Sequence, residues 1–96
     1  MIGIVATLRT KDGAGEAFEA VFRELAAKVR ANEPGNLMYQ LTKSRTEANT
    51  YKVLELYADQ GALEAHGKTD YFKALGAQMG ASMAGRPEVE YLDAVV

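Results

Sequence analysis

Ninety-six residues, a formal charge of −2 and a pI near 5.4 suit a single domain, 1–96, with no basic footprint for nucleic acid or an anionic membrane surface. Apolar residues make up 48% and charged residues 25% of the chain, which is ordinary for a soluble globular protein. There are no cysteines and one histidine, which removes disulfides, thiolate metal sites and cysteine nucleophiles and argues against an all-protein zinc site.

The opening MIGIVATL is apolar but short. It lacks the basic region and small-residue cleavage site of a signal peptide. No stretch approaches the ~18 apolar residues of a membrane span, so a cytoplasmic protein is expected. Within residues 2–10, Ile2, Ile4, Ala6 and Leu8 alternate with Val5 on the opposite face, which predicts a strand. KDGAG breaks it, and Asp12 is a candidate helix N-cap.

From Glu16 to Arg30 the period becomes helical. Phe18, Val21, Phe22, Leu25, Ala26 and Val29 form one apolar stripe, and Glu19–Arg23 and Glu24–Lys28 form i,i+4 pairs on the wet face. Pro34 ends this helix by pushing Glu33 out of the α region. Pro34-Gly35 suits a turn with positive φ at the glycine. Residues 36–44 predict a strand with Leu37, Tyr39 and Leu41 on one side. Residues 50–58 predict another, joined to it through the hairpin-length RTEAN.

After Ala58 the pattern turns helical again. Asp59 can cap a short helix running through His66, with Gly67 as its stop. Thr69 or Asp70 caps a second segment in which Phe72, Leu75, Met79 and Met83 share a stripe. Gly85-Arg86-Pro87 breaks it, and residues 88–95 predict a last strand.

The order β-α-β-β-α-β matches the split βαβ, or ferredoxin-like, α+β unit, with helices on one face of a four-stranded antiparallel sheet. The other sheet face should then be polar and wet. Yet Leu54 and Leu56 oppose Tyr51, Val53 and Tyr57, and Leu92 and Ala94 oppose Val89, Tyr91 and Val95. Two apolar faces point to a second copy of the chain, an enclosed cavity, or both.

Three stretches carry a family resemblance: IVATLRTKDGAGEAFEAVFREL, EPGNLMYQL and LELYADQGALEAHGKTDYFKAL. With the closing GRPEVEYLDAV, they run nearly end to end. The chain resembles the antibiotic biosynthesis monooxygenase domain family, and is similar in particular to its quinol-monooxygenase-like branch. That resemblance implies a homodimer, a dimeric α+β barrel in which two sheets pack together, with a pocket in each protomer between sheet and helices. Several members oxidise phenols or quinols with O₂ and no metal, flavin or haem. The resemblance therefore implies no cofactor, and a small aromatic substrate and O₂ as partners. The haem-degrading branch is similar only in outline. It has a tryptophan where this chain has Tyr57, and an asparagine where this chain has Val5 and Ala6.

Cofactor-free oxygenation needs a base, an apolar slot for a flat ring and access for oxygen. Histidine suits the base, and His66 sits at the end of a short helix, read as partly exposed. The alternative is a structural histidine that bonds a carbonyl or packs the turn. Glu55 shares a strand face with Tyr51, Val53 and Tyr57. It can orient His66 or bond a substrate hydroxyl, or form a cross-strand pair with Arg9 or Lys43. Tyr57 takes the family's aromatic position and can hold a ring. Tyr39, Phe72, Met79 and Met83 can line the slot, or simply form core. Arg86 can meet an anionic group or be a solvated turn residue. The leading function is a cofactor-independent monooxygenase. The alternatives are an isomerase or lyase of small carbonyl compounds and a non-catalytic ligand-binding domain.

Overall fold

Alternation and helical period both resolve into the expected elements in the computed structural model, which describes residues 1–96. The elements are β1 (Ile2–Arg9), α1 (Gly15–Asn32), β2 (Asn36–Lys43), β3 (Thr50–Tyr57), α2 (Gln60–Lys68), α3 (Asp70–Gly80) and β4 (Glu88–Asp93). The sheet order is β2-β3-β1-β4 with all neighbours antiparallel. This is a ferredoxin-like α+β fold. No helix is long and apolar enough to cross a membrane.

The helix-facing side of the sheet carries Ile4, Ala6 and Leu8 of β1, Tyr39 of β2, and Tyr51, Val53 and Tyr57 of β3, all buried. Phe18, Phe22, Leu25, Ala26 and Val29 of α1 pack onto it. Aromatic rings form a continuous chain through this core. Tyr51 lies 4.8 Å from Phe18, Phe18 6.1 Å from Phe22, and Phe22 stacks on Tyr39 at 5.3 Å. Such pairs add about 0.5–1.5 kcal/mol each beyond their burial.

Several local expectations need correcting. Asp12 does not cap α1. Its N-cap is Ala14 with no side-chain bond, and Asp12 instead accepts a hydrogen bond from Asn49 Nδ2, tying the β1–α1 turn to the β2–β3 loop. Gly67 does not stop α2. The helix runs through it to Lys68, and Thr69 at φ −68°, ψ 145° ends it. The Thr69 hydroxyl then accepts from the Phe72 N–H and starts α3. Asp59 does cap α2, accepting from Ala62 N–H at 2.8 Å.

Gly35 is not at positive φ. It is there for space, because a Cβ on it would sit 2.5 Å from the Ala62 Cβ of α2. Leu37 does not join Tyr39 on the inner face. The β2–β3 register shifts between Asn36 and Met38, leaving Leu37 half exposed. Of the two ion pairs expected on α1, Glu19–Arg23 forms at 3.3 Å and Glu24–Lys28 does not.

The helices leave one edge of the sheet bare. Val89 and Tyr91 of β4 lie in register with Ala6 and Ile4 and so share the helix-side face, yet both are exposed. On the opposite face, register aligns Met38, Leu56, Gly3 and Leu92 in one row across all four strands. Met38 and Leu92 in that row are 47% and 44% exposed. The row Thr42, Lys52, Thr7, Glu88 at the other end is polar. The apolar surface foreseen on the outer face thus lies toward one end of the sheet, with Leu54 of the middle row also partly exposed.

The Gly35–Ala62 approach can be tested directly. Gly35→Ala should lower stability by about 1–3 kcal/mol, the usual cost of forcing an extra carbon into a closed contact. A thermal melt unchanged from the parent would show that α2 moves away freely.

Candidate active site

Between the sheet and α2–α3, open along β4, lies a cleft of about 1160 Å³ lined mainly by apolar side chains. Tyr39, Glu55, His66, Phe72 and Met79 all border it. Five of the six residues singled out in the sequence therefore meet at one place. The sixth, Tyr57, does not line the cleft. Its side chain is fully buried behind Glu55. Arg86 and Met83 also border the cleft.

His66 differs from its expected setting. It lies in the last turn of α2, but its residue surface is only 5% exposed. The ring is enclosed by Phe72 at 4.6 Å, Tyr39 at 5.3 Å and Tyr57 at 5.6 Å, and so extends the aromatic chain of the core. Its partner is not Glu55. His66 Nδ1 lies 2.9 and 3.1 Å from the two carboxylate oxygens of Glu33. The Tyr71 hydroxyl donates to that same carboxylate. The other ring nitrogen, Nε2, makes no hydrogen bond to the chain, and His66 borders the cleft.

Glu33 and Tyr71 are the residues that sequence reasoning missed. Pro34 ends α1 at Glu33, which takes φ −119°, ψ 86° as the C-cap. That turn carries its side chain beneath α2 and α3. A signal was present in the sequence. A carboxylate at a helix C-terminus opposes the helix dipole, so an acid in that position asks for a partner elsewhere. An acid that orients an imidazole and leaves its second nitrogen free is the arrangement general bases use.

Glu55 is placed otherwise than either expected pairing. Arg9 bonds Glu88 at 2.9 Å, and Lys43 sits 5.7 Å over the Tyr51 ring. Glu55 instead accepts from the Tyr57 hydroxyl at 2.7 Å. Burial pushes its carboxyl above the ordinary carboxylate range. The Tyr57 hydrogen bond and the nearby His66 pull it back, and the Glu33 charge adds to the rise. Burial, then the Glu55 charge, raises Tyr39 and Tyr57 far above the usual phenol range. Desolvation and then Glu33 push Tyr71 up to about 12. These hydroxyls are hydrogen donors, not bases, near neutral pH. No three His, Cys, Asp or Glu side chains converge as a metal site would require.

The raised Glu55 carboxyl has a definite consequence for stability. As pH rises above the unfolded-state value, the unfolded chain loses its proton first while folded Glu55 keeps it. Stability from this group is therefore present in acid and is lost as pH rises through the raised folded value. Glu55→Gln keeps an acceptor for Tyr57 and removes the titration. The variant should gain melting temperature relative to the parent at pH 8 but not at pH 4. Parallel melting curves across that range would show that Glu55 titrates normally.

Comparison with known proteins places this geometry. The profile of the family described as "Antibiotic biosynthesis monooxygenase" matches residues 1–78. YcnE of Bacillus subtilis (strain 168), provisionally named a monooxygenase, is 32% identical over 78 residues, 81% of each chain. A crystal structure from Caulobacter crescentus CB15, provisionally named an antibiotic biosynthesis monooxygenase, is 63% identical. It superposes with a TM-score of 0.97 over 99% of this chain and 90% of the other. A further crystal structure named an antibiotic biosynthesis monooxygenase is 28% identical, with a TM-score of 0.90 over the whole of both chains. The chain belongs to the antibiotic biosynthesis monooxygenase family, and its ferredoxin-like unit is a monooxygenase-type domain.

Proposed function

We propose that the protein is a cofactor-independent monooxygenase that converts a quinol or polycyclic phenol and O₂ into a quinone and water. One observation carries this reading: His66 is buried, has one nitrogen on the Glu33 carboxylate and borders an apolar cleft. A base held this way can take a phenolic proton without competition from bulk water.

The chemistry balances with these groups alone. His66 Nε2 takes the phenol O–H proton. The phenolate gives one electron to O₂, and the two radicals join at a ring carbon that carries a hydrogen, opposite the hydroxyl in a phenol and beside it in a quinol. The resulting peroxide takes the proton back from His66. Loss of water, with the ring hydrogen, leaves a carbonyl at that carbon. One oxygen atom ends in the quinone and the other in water. Glu33 holds the imidazole in register and steadies it while it is charged. Phe72 and Met79 offer apolar contact to the ring, while the Tyr39 hydroxyl is a donor for its oxygens and the Glu55 carboxyl can bond a substrate hydroxyl. Tyr57 acts through Glu55, as a positioning residue, rather than by touching the ring.

The apolar row Met38–Leu56–Gly3–Leu92 supports pairing of two sheets in a homodimer. Exposed apolar area in one connected row gains about 25 cal/mol for each Å² it buries. Sedimentation at micromolar concentration should give twice the chain mass, and Leu92→Glu should shift it toward the monomer. A folded monomer from the unmutated chain would remove this part of the proposal.

Oxygen uptake with a panel of quinols tests the reaction. His66→Ala should lower turnover by ~10²–10⁴-fold per folded molecule, the usual worth of a general base. It should also melt early, because it leaves the buried Glu33 with one donor fewer. Glu33→Gln should lower kcat by at least about 10-fold with KM little changed, as loss of an orienting carboxylate does. If His66→Ala keeps its rate per folded molecule, His66 is structural only. Exchange of a substrate carbon's hydrogen with solvent, without oxygen uptake, would favour the isomerase reading instead.

A further inference from the structure

Gly76 lies in the interior of α3, six residues after its first residue and four before its last. Glycine there weakens a helix relative to alanine, because it has more backbone freedom to lose. Ordinarily such a glycine lets another part of the chain come close. Here nothing does. A Cβ built on Gly76 would meet no atom within 4 Å, whereas one on Gly35 would collide with α2. Its φ is not positive either, so backbone conformation does not require it.

What the missing side chain leaves free is the cleft. Gly76 borders it, one turn along α3 from Phe72 and one turn before Gly80, which also borders it. Phe72, Gly76 and Gly80 thus follow one i,i+4 row, an aromatic ring followed by two positions with no side chain. Gly80 is the last residue of α3 and, like Gly76, is not at positive φ and has open space where a Cβ would sit. The same cleft holds the second observation: the His66 side chain is only 6% exposed, and its Nε2 is without a partner. The volume of about 1160 Å³ also exceeds the usual ~300–1,000 Å³ of small-ligand clefts. A single phenol ring leaves most of it empty.

We infer that Gly76 sets the width of the cleft. It leaves the backbone of α3 bare beside Phe72 so that a flat ligand of three or more fused rings can lie against the helix with its hydroxyl at His66. Helix stability is given up for that room. The inference rests on the proposed phenol chemistry for the orientation of the ligand, but its test reads binding, not turnover.

The test is a graded series, Gly76→Ala and Gly76→Leu, with a one-ring and a three-ring phenol titrated calorimetrically under nitrogen. Gly76→Ala should melt higher than the parent by about 4–8 °C, from the helix-propensity gain. Gly76→Leu should bind the three-ring phenol at least ~10-fold more weakly, with Gly76→Ala between it and the parent. Binding of the one-ring phenol should change less than about 2-fold in both, a small shift on the same scale. Unchanged three-ring affinity in both variants would overturn the inference. So would a lower melting temperature for Gly76→Ala, which would mean that the space is not open in the folded chain. So would failure of the parent to bind the three-ring phenol at all. If the parent binds that phenol and the series behaves as stated, but air brings no oxygen uptake, the width assignment stands and the oxygenase reading falls.

Discussion

A carboxylate at the end of a helix, largely withdrawn from water, organises this domain. Glu33 and His66 have side chains only 9% and 6% exposed. An acid in that position is costly unless every lone pair facing the protein finds a donor. Glu33 finds two, the imidazole of α2 and the Tyr71 hydroxyl of α3. Three helices are thereby joined at one group. The sequence device that places it is Pro34, which stops α1 at Glu33 and turns its side chain inward.

The position of the cleft follows from that junction. Both short helices are drawn to the end of α1, α2 packing against β3 and α3 against α1 and α2. Nothing is left to cover β4, and Val89 and Tyr91 lie open on the inner face. The same geometry puts His66 between the core and the opening. On one side its ring continues the aromatic chain from Tyr51 through Phe18, Phe22 and Tyr39. On the other it borders the cleft. One residue is thus both packing and candidate base. The choice between a structural and a functional histidine, posed by the sequence, need not be exclusive.

The fold was largely legible because it is written in periods. Ile4, Ala6 and Leu8 alternate, and Phe18, Phe22, Leu25 and Val29 repeat at helical spacing; both patterns report burial directly. What failed was local and steric. Gly35 suggested a positive-φ turn, but its constraint is Ala62, 27 positions away in sequence, which no local rule can see. Leu37 was misplaced because a register shift interrupts the alternation. The site was half legible. Glu55 and His66 do border one cleft, yet the carboxylate that holds His66 is Glu33, which is 33 positions from it in the chain. Strand-face logic pairs residues across a sheet and has no means to pair a helix cap with another helix. Tyr57 shows the same limit from the other side. It shares its strand face with Glu55 but packs behind the cleft instead of lining it.

Glu33 fixes the His66 ring with Nδ1 as the bonded nitrogen and leaves Nε2 without a partner in the chain. Because His66 is the sole histidine, imidazole nitrogen and proton NMR on uniformly labelled protein needs no assignment. In buffer alkaline enough for a neutral ring, the imidazole should be the Nδ1–H tautomer. Its proton should be hydrogen-bonded and slow to exchange, and Nε2 should show an unprotonated nitrogen shift. Glu33→Gln should perturb both signals. An Nε2–H tautomer in the unmutated protein, or a ring exchanging freely between the two forms, would mean that Glu33 does not hold the imidazole by Nδ1.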